Sequence, residues 1–254
     1  MQASPRFVPA VAASDAPPID NQLLAGLSAV EWRRWQPHLV QVELASGQVL
    51  GESGSTPAFV YFPGTAIVSL MTMTQDGASA EFAVVGNDGV VGISSFMGGN
   101  TTPSRAVVQS AGRAWRISSL VVKHEALSGG PLLAMLLHYT LTLITQVAQT
   151  AMCNRYHSID EQLCRRLLLG LDRSAGDELL MTHEGIAQLL GVRREGVTAA
   201  ALKLQLAGVI SYRRGRISVL DRRRLEQRSC ECYAATKREC ERPKARPERL
   251  PLHA

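Results

Sequence analysis

Hydrophobic and polar positions alternate with two different periods along the chain. From Val40 to Ile117, short β-branched or aromatic runs recur: VQVEL, FVYF, AIVSLMTM, AEFAVV, AVVQ and RAWRI. Turn pairs separate them at Ser46-Gly47, Ser53-Gly54, Pro63-Gly64, Asp76-Gly77, Asp88-Gly89 and Ala111-Gly112. Many short strands at near-regular spacing predict an antiparallel sandwich or barrel. Asp76-Gly77 is the expected tight hairpin, because both residue types accept positive φ. Ahead of this block, Asn21–Pro37 reads as a helix with Leu24, Leu27, Val30 and Trp35 turned inward. The period becomes helical at Pro131. One stripe runs through Leu133, Leu137, Leu141, Ile144, Ala148 and Ala151, and a second through Leu132, Met135, Tyr139, Leu143 and Val147. A helix apolar on two faces must bury both. One can cover the sandwich or barrel, and an identical helix from a second chain would cover the other. A shorter helix is expected at Ile159–Leu171, with a break at Asp172–Asp177.

The segment Thr182–Leu220 carries the most specific pattern, THEGIAQLLGVRREGVTAAALKLQLAGVISYRRGRISVL. Thr182 can cap a helix running through Leu190. Ile186, Leu189 and Leu190 give it one apolar face, and Ala187 is small where a second helix must cross. Gly191 suits a helix end with positive φ. A second helix is expected from Arg193 or Arg194 to about Ala207, with Val197, Ala200, Ala201 and Leu204 inward. VISY and ISVL then form a β-hairpin wing across Arg213-Arg214-Gly215-Arg216. A helix pair with a basic wing is a DNA-reading module; the alternative is a hairpin used only for packing. Arg194 and Glu195 fall in the first turn of the second helix. Arginine can grip both acceptors of guanine, and a carboxylate can accept from cytosine. Thr198 lies one turn further along the same face. Arg193, Thr182, Lys203, Arg213, Arg214 and Arg216 are placed for phosphate contacts.

Charge agrees with this division. Met1–Asn154 holds 7 basic and 9 acidic side chains, whereas Arg155–Ala254 holds 20 basic and 13 acidic. The second half is the one suited to a polyanion; a solvated basic face is the plainer reading. The Ala- and Pro-rich N-terminus makes a poor signal peptide and reads as a disordered arm. Ala126–Asn154 lacks Asp, Glu, Lys and Arg, which is long enough to raise a membrane span. Gly129, Gly130 and Pro131 interrupt its start and polar residues recur through it, so a soluble helix in a cytoplasmic protein is expected. All five cysteines, Cys153, Cys164, Cys230, Cys232 and Cys240, lie beyond the midpoint of the chain. No disulfide framework is expected from that odd number. Cys230 and Cys232 are closer in sequence than the usual zinc spacing; with Cys240 they could form a weak metal or redox site, or simply be helix cysteines. No metal site is therefore assigned. Without a nucleophile elbow, P-loop or HExxH, an enzyme is not expected.

The whole layout resembles the Crp/Fnr family of bacterial transcription regulators, most specifically at IAQLLGVRREGV. The resemblance implies an α+β chain. Its parts are a disordered arm (1–20), a cyclic-nucleotide-binding-like antiparallel β-roll or jelly-roll (21–130), a dimerisation helix (131–156), a winged helix-turn-helix (157–241) and a disordered tail (242–254). It also implies a homodimer that binds a near-palindromic double-stranded operator, with RNA polymerase as a further partner. Arg194 and Glu195 match base-reading positions of the family. Ala199 falls where cyclic-AMP-type members often have arginine, and Arg193 replaces a capping serine. The stretch VVGISSFMGGNTTPSRAVVQ matches the family's phosphate-binding cassette. Gly92 stands at its glycine, Ile93 at its ribose-binding glutamate, and Arg105-Ala106 at its Arg-Ser pair. Gly92, Ile93, Arg105 and Ala106 are thus the candidate ligand residues. Losing a glutamate and a serine contact costs about 1–3 kcal/mol each, which argues against cyclic AMP and leaves either another small molecule, such as another nucleotide, as effector or constitutive DNA binding. No cofactor is expected. The N-terminal half has no cysteine for an iron–sulfur cluster, and His38, His124 and His138 lie in no haem motif.

Overall fold

The computed structural model describes residues 20–174 and 176–241. The expected arm, save Asp20, and the expected tail lie outside the described residues. The chain opens with two short helices, α1 (Gln22–Ala25) and α2 (Ala29–Trp35), where a single helix is expected. The break has a local cause. Ser28 caps α2 in a capping box, its hydroxyl accepting from Glu31 N while Glu31 accepts from Ser28 N. Such a cap contributes about 1 kcal/mol and fixes a helix start. The offset turns Val30 out to solvent, while Leu24, Leu27 and Trp35 are buried as expected.

Seven strands follow: β1 (Val40–Leu44), β2 (Val49–Gly51), β3 (Phe59–Pro63), β4 (Ile67–Met73), β5 (Ser79–Val85), β6 (Arg105–Ser110) and β7 (Gly112–Ser118). They form two antiparallel sheets, ordered β1-β7-β3 and β2-β6-β4-β5. Val60, Phe62, Val68, Val85, Val108 and Ile117 fill the core, and Trp35 meets Phe62 edge to face at 5.8 Å. The hairpin at Asp76-Gly77 is wider than expected. Met73 pairs with Ser79, and of that pair only Gly77 has positive φ, at 88°. A helix the sequence pattern did not reveal, α3 (Ser119–Leu127), leads into α4 (Pro131–Tyr156).

On α4, Leu132, Tyr139 and Leu143 of the second stripe are buried against the roll. Leu137, Leu141 and Ile144 of the first stripe are exposed, at 48%, 50% and 57%. The helix is long and apolar enough to cross a membrane. Its buried polar side chains have work within the fold instead. Gln146 accepts from Val84 N at 2.6 Å and donates to Val84 O at 3.3 Å, completing the outer edge of β5. An unpaired edge so covered cannot recruit another strand.

The second core starts with α5 (Ile159–Leu171), begun by a capping box at Ser158. Then come β8 (Glu178–Leu180), α6 (His183–Leu190), α7 (Arg194–Leu206), β9 (Ile210–Arg213), β10 (Arg216–Val219), α8 (Arg222–Gln227) and α9 (Glu231–Cys240). β8, a strand the sequence pattern did not show, pairs with β10 and makes the wing three-stranded, in the order β8-β10-β9. Leu167, Leu168, Ile186, Val197, Ala201, Leu204 and Ile217 are its buried centre.

Candidate nucleic-acid interface

Thr182 caps α6, its hydroxyl accepting from Gly185 N at 3.0 Å. Gly191 ends the helix in the left-handed region at φ 66°. A side chain there would be strained, and its Cβ would sit 3.3 Å from Cβ of Ala80 on β5. The chain then turns into α7 with Arg193 at the N-cap position. Val197, Ala200, Ala201 and Leu204 face the core. The small residues on α7 let α6 cross closely. What remains outside is the surface formed by Arg193, Arg194, Glu195, Thr198 and Lys203, all exposed. The helix N-terminus adds its own positive partial charge to this face.

The wing meets that surface from the side. Arg214 and Gly215 form its tip with φ 49° and 77°, the two left-handed residues a tight hairpin needs. Gly215 O accepts from Met181 N at 2.8 Å. The wing tip therefore lies beside the N-terminus of α6 and beside Thr182. Arg213, Arg214 and Arg216 are exposed. Two of the expected phosphate ligands have carboxylate neighbours: Lys203 with Asp160 at 2.7 Å, and Arg216 with Glu178 at 3.3 Å. Exposed pairs of this kind contribute only about 0–1 kcal/mol, so an incoming phosphate competes with them readily.

His183 is a member of this surface that the sequence did not signal. Its ring stacks on Tyr212 of the wing with centroids 4.1 Å apart. Its Nδ1 lies 3.1 Å from the Thr198 hydroxyl on α7. One imidazole thus joins α6, α7 and the wing. Burial, and then the Arg194 guanidinium, hold its pKa below the usual value. A histidine just after a cap has no sequence periodicity of its own; only the fold brings its partners to it.

Residues 161–228 match the Crp-like helix-turn-helix domain. The chain carries a Crp-like helix-turn-helix domain. The fold around it is that of the Crp/Fnr regulators, with an N-terminal roll, a long helix and a C-terminal winged module. A protein from Eubacterium rectale assigned to the Crp/Fnr family of transcriptional regulators superposes with TM-score 0.63 at 18% identity, over 82% of this chain and 97% of that one. FixK2 from Bradyrhizobium japonicum gives TM-score 0.63 at 17% identity, over 76% and 98%. The c-di-GMP-responsive global regulator CLP from Xanthomonas campestris gives 0.59 at 16%, over 76% and 99%. No curated protein sequence matches the chain significantly.

The matched roll contains a cavity of about 220 Å³ between the strands and α4. Gly92, Ile93 and Ala106 line it, together with Phe59, Tyr61, Phe82, Leu143 and Ile144. None of the residues lining it is charged. The fourth candidate ligand residue is placed elsewhere. Arg105 lies 3.2 Å from Glu52, and its NH1 lies 3.9 Å from Met73 Sδ, so the guanidinium is engaged outside the cavity wall.

Proposed function

We propose that the protein is a dimeric, sequence-specific DNA-binding transcription regulator of the cytoplasm. The observation that carries this is the joined surface of α7 and the wing. Arg194 and Glu195 are exposed in the first turn of α7, and Arg214 is exposed at the wing tip, which lies beside Thr182 at the start of α6. Arg194 and Glu195 read base edges in the major groove. Thr198 lies one turn along the same face, and Arg193, Thr182, Lys203, Arg213, Arg214 and Arg216 hold the backbone on either side. The exposed stripe Leu137–Leu141–Ile144 pairs with its copy in a second chain, which sets two recognition helices about one DNA turn apart on a near-palindrome. RNA polymerase is the further partner such a regulator addresses.

Binding curves on operator and scrambled DNA at two salt concentrations test the reading. Arg194→Ala should cost about 1–3 kcal/mol on operator and little on scrambled DNA. Arg214→Ala should weaken both alike and reduce the salt slope by about 1. Equal losses for both variants on both DNAs would sink it.

The apolar cavity favours a second reading, that a small molecule gates DNA binding. The CLP regulator responds to c-di-GMP, but an uncharged wall and an Arg105 paired with Glu52 suit an apolar, uncharged ligand far better than a nucleotide. Ala106→Trp fills this space. It should abolish any rise in unfolding midpoint that small apolar compounds give the wild type.

A further inference from the structure

Three cysteines and a histidine meet where α4 ends and α9 begins. Cys153 and His157 are one helical turn apart, so α4 delivers both to one point. Cys230 is the N-cap residue of α9, and Cys232 lies in its first turn. Cys153, Cys230 and Cys232 form a small buried cluster of their own, at 1%, 6% and 2% exposure. Sγ of Cys153 and Sγ of Cys230 are 3.6 Å apart, and Sγ of Cys232 lies 3.6 Å from Nδ1 of His157. All four ligand atoms fall within 4.8 Å of one another. Cys240, grouped with Cys230 and Cys232 on sequence, stands apart beside Asp88 and Tyr139.

We propose that Cys153, His157, Cys230 and Cys232 hold one zinc ion in a closed site that ties α4 to α9. The two contacts of 3.6 Å match the edges of a zinc tetrahedron, and the other separations stay within 4.8 Å. Zinc–sulfur bonds near 2.3 Å and zinc–nitrogen bonds near 2.05 Å place two sulfurs about 3.8 Å apart and a sulfur and a nitrogen about 3.6 Å apart. The surroundings fit as well. A ligating histidine commonly gives its other ring nitrogen to a carboxylate; here His157 Nε2 lies 3.3 Å from Glu231 Oε1. Gln162 donates to the His157 carbonyl at 2.9 Å and to the Cys153 carbonyl at 3.4 Å, fixing the end of α4. Three thiolates and a neutral imidazole around Zn²⁺ leave a net charge of about −1. The buried guanidinium of Arg165 answers it. That side chain donates to Thr150 Oγ1 at 3.1 Å, is in no ion pair among the described residues, and directs its field onto Cys153 and Cys232.

Binding exchanges thiol protons for metal. Up to three protons leave for the solvent and no electron moves. Cys153 and His157 lie on the helix with the exposed apolar stripe, and Cys230 and Cys232 lie beyond the wing. The ion would therefore fasten the DNA-facing half to the long helix.

Metal analysis of the full-length chain, purified reduced and without chelators, tests this. One zinc ion per chain is expected, and cobalt substitution should give tetrahedral d–d bands with sulfur-to-metal charge transfer. Cys232→Ser should lose the ion to a competing chelator, while Cys240→Ser keeps it. Native mass spectrometry of the unaltered chain gives the same stoichiometry without relying on a variant. A metal-free chain after zinc supplementation overturns the proposal. So does a Cys153–Cys230 disulfide in place of the ion, an iron chromophore, or equal zinc retention by both variants.

Discussion

His183 shows how a single side chain couples the parts of the reading surface. Stacked on Tyr212 and beside Thr198, it is partly shielded from water and faces Arg194. Both influences disfavour the imidazolium, so its folded pKa lies below its ordinary value of 6.5. The unfolded chain then binds more protons than the folded chain just below that pH. The stability this residue contributes is present above pH 6.5 and is lost as pH falls through the lower, folded value. His183→Gln removes the titration. Urea midpoints of wild type and variant should converge between about pH 7.5 and about pH 5.5, the wild type falling further. Parallel pH profiles for the two proteins would mean that the imidazole is not held neutral.

At the scale of the element, α4 carries the surface on which the proposed dimer rests. Its inward stripe is saturated by the roll, and Gln146 spends its amide on β5. Its outward stripe leaves Leu137, Leu141 and Ile144 about half exposed in a single chain. An apolar seam of that length has little other use in water than a matching seam. Leu141→Glu should leave the folded protomer intact, because the side chain is already exposed there. It should shift sedimentation from dimer to monomer at micromolar concentration and weaken operator binding with it. An unchanged dimer would place the interface elsewhere.

The elements themselves were legible to different degrees. The inward stripe of α4, the helix pair around Gly191 and eight of the ten strands announce themselves by period, since each buries a repeating face. The single helix expected at Asn21–Pro37 failed because a four-residue cap signal at Ser28 outweighed the apolar spacing. β8 and β2 are three residues each, too short to show alternation. The interface was legible where it is made of arginines at helix and hairpin ends. It was opaque at His183 and in the cysteine cluster, where the partners are brought together from distant parts of the chain. Cys153 and Cys230 are 77 residues apart in the chain.

At the scale of the whole molecule, two ion pairs join its two cores. Arg166 on α5 meets Glu81 on β5, with Nε–Oε1 at 2.6 Å and NH2–Oε2 at 3.1 Å, and it also donates to Gln109 on β6. Arg173, just beyond α5, grips Asp88 through two bonds of 3.1 and 2.6 Å. The Arg166 and Glu81 side chains are 3% and 6% exposed. Desolvating such a pair costs nearly what their attraction returns, so it specifies a docking geometry more than it stabilises one. The two effects separate in a double-mutant cycle. Glu81→Gln leaves a buried guanidinium without its carboxylate and should cost about 3–5 kcal/mol in urea unfolding. Glu81→Met with Arg166→Met removes both charges and should recover most of that loss. If the clasp sets how the winged module sits on the roll, the double variant will be stable yet altered in operator affinity. A double variant with wild-type affinity would show that the docking is set by α4 and the apolar cores alone.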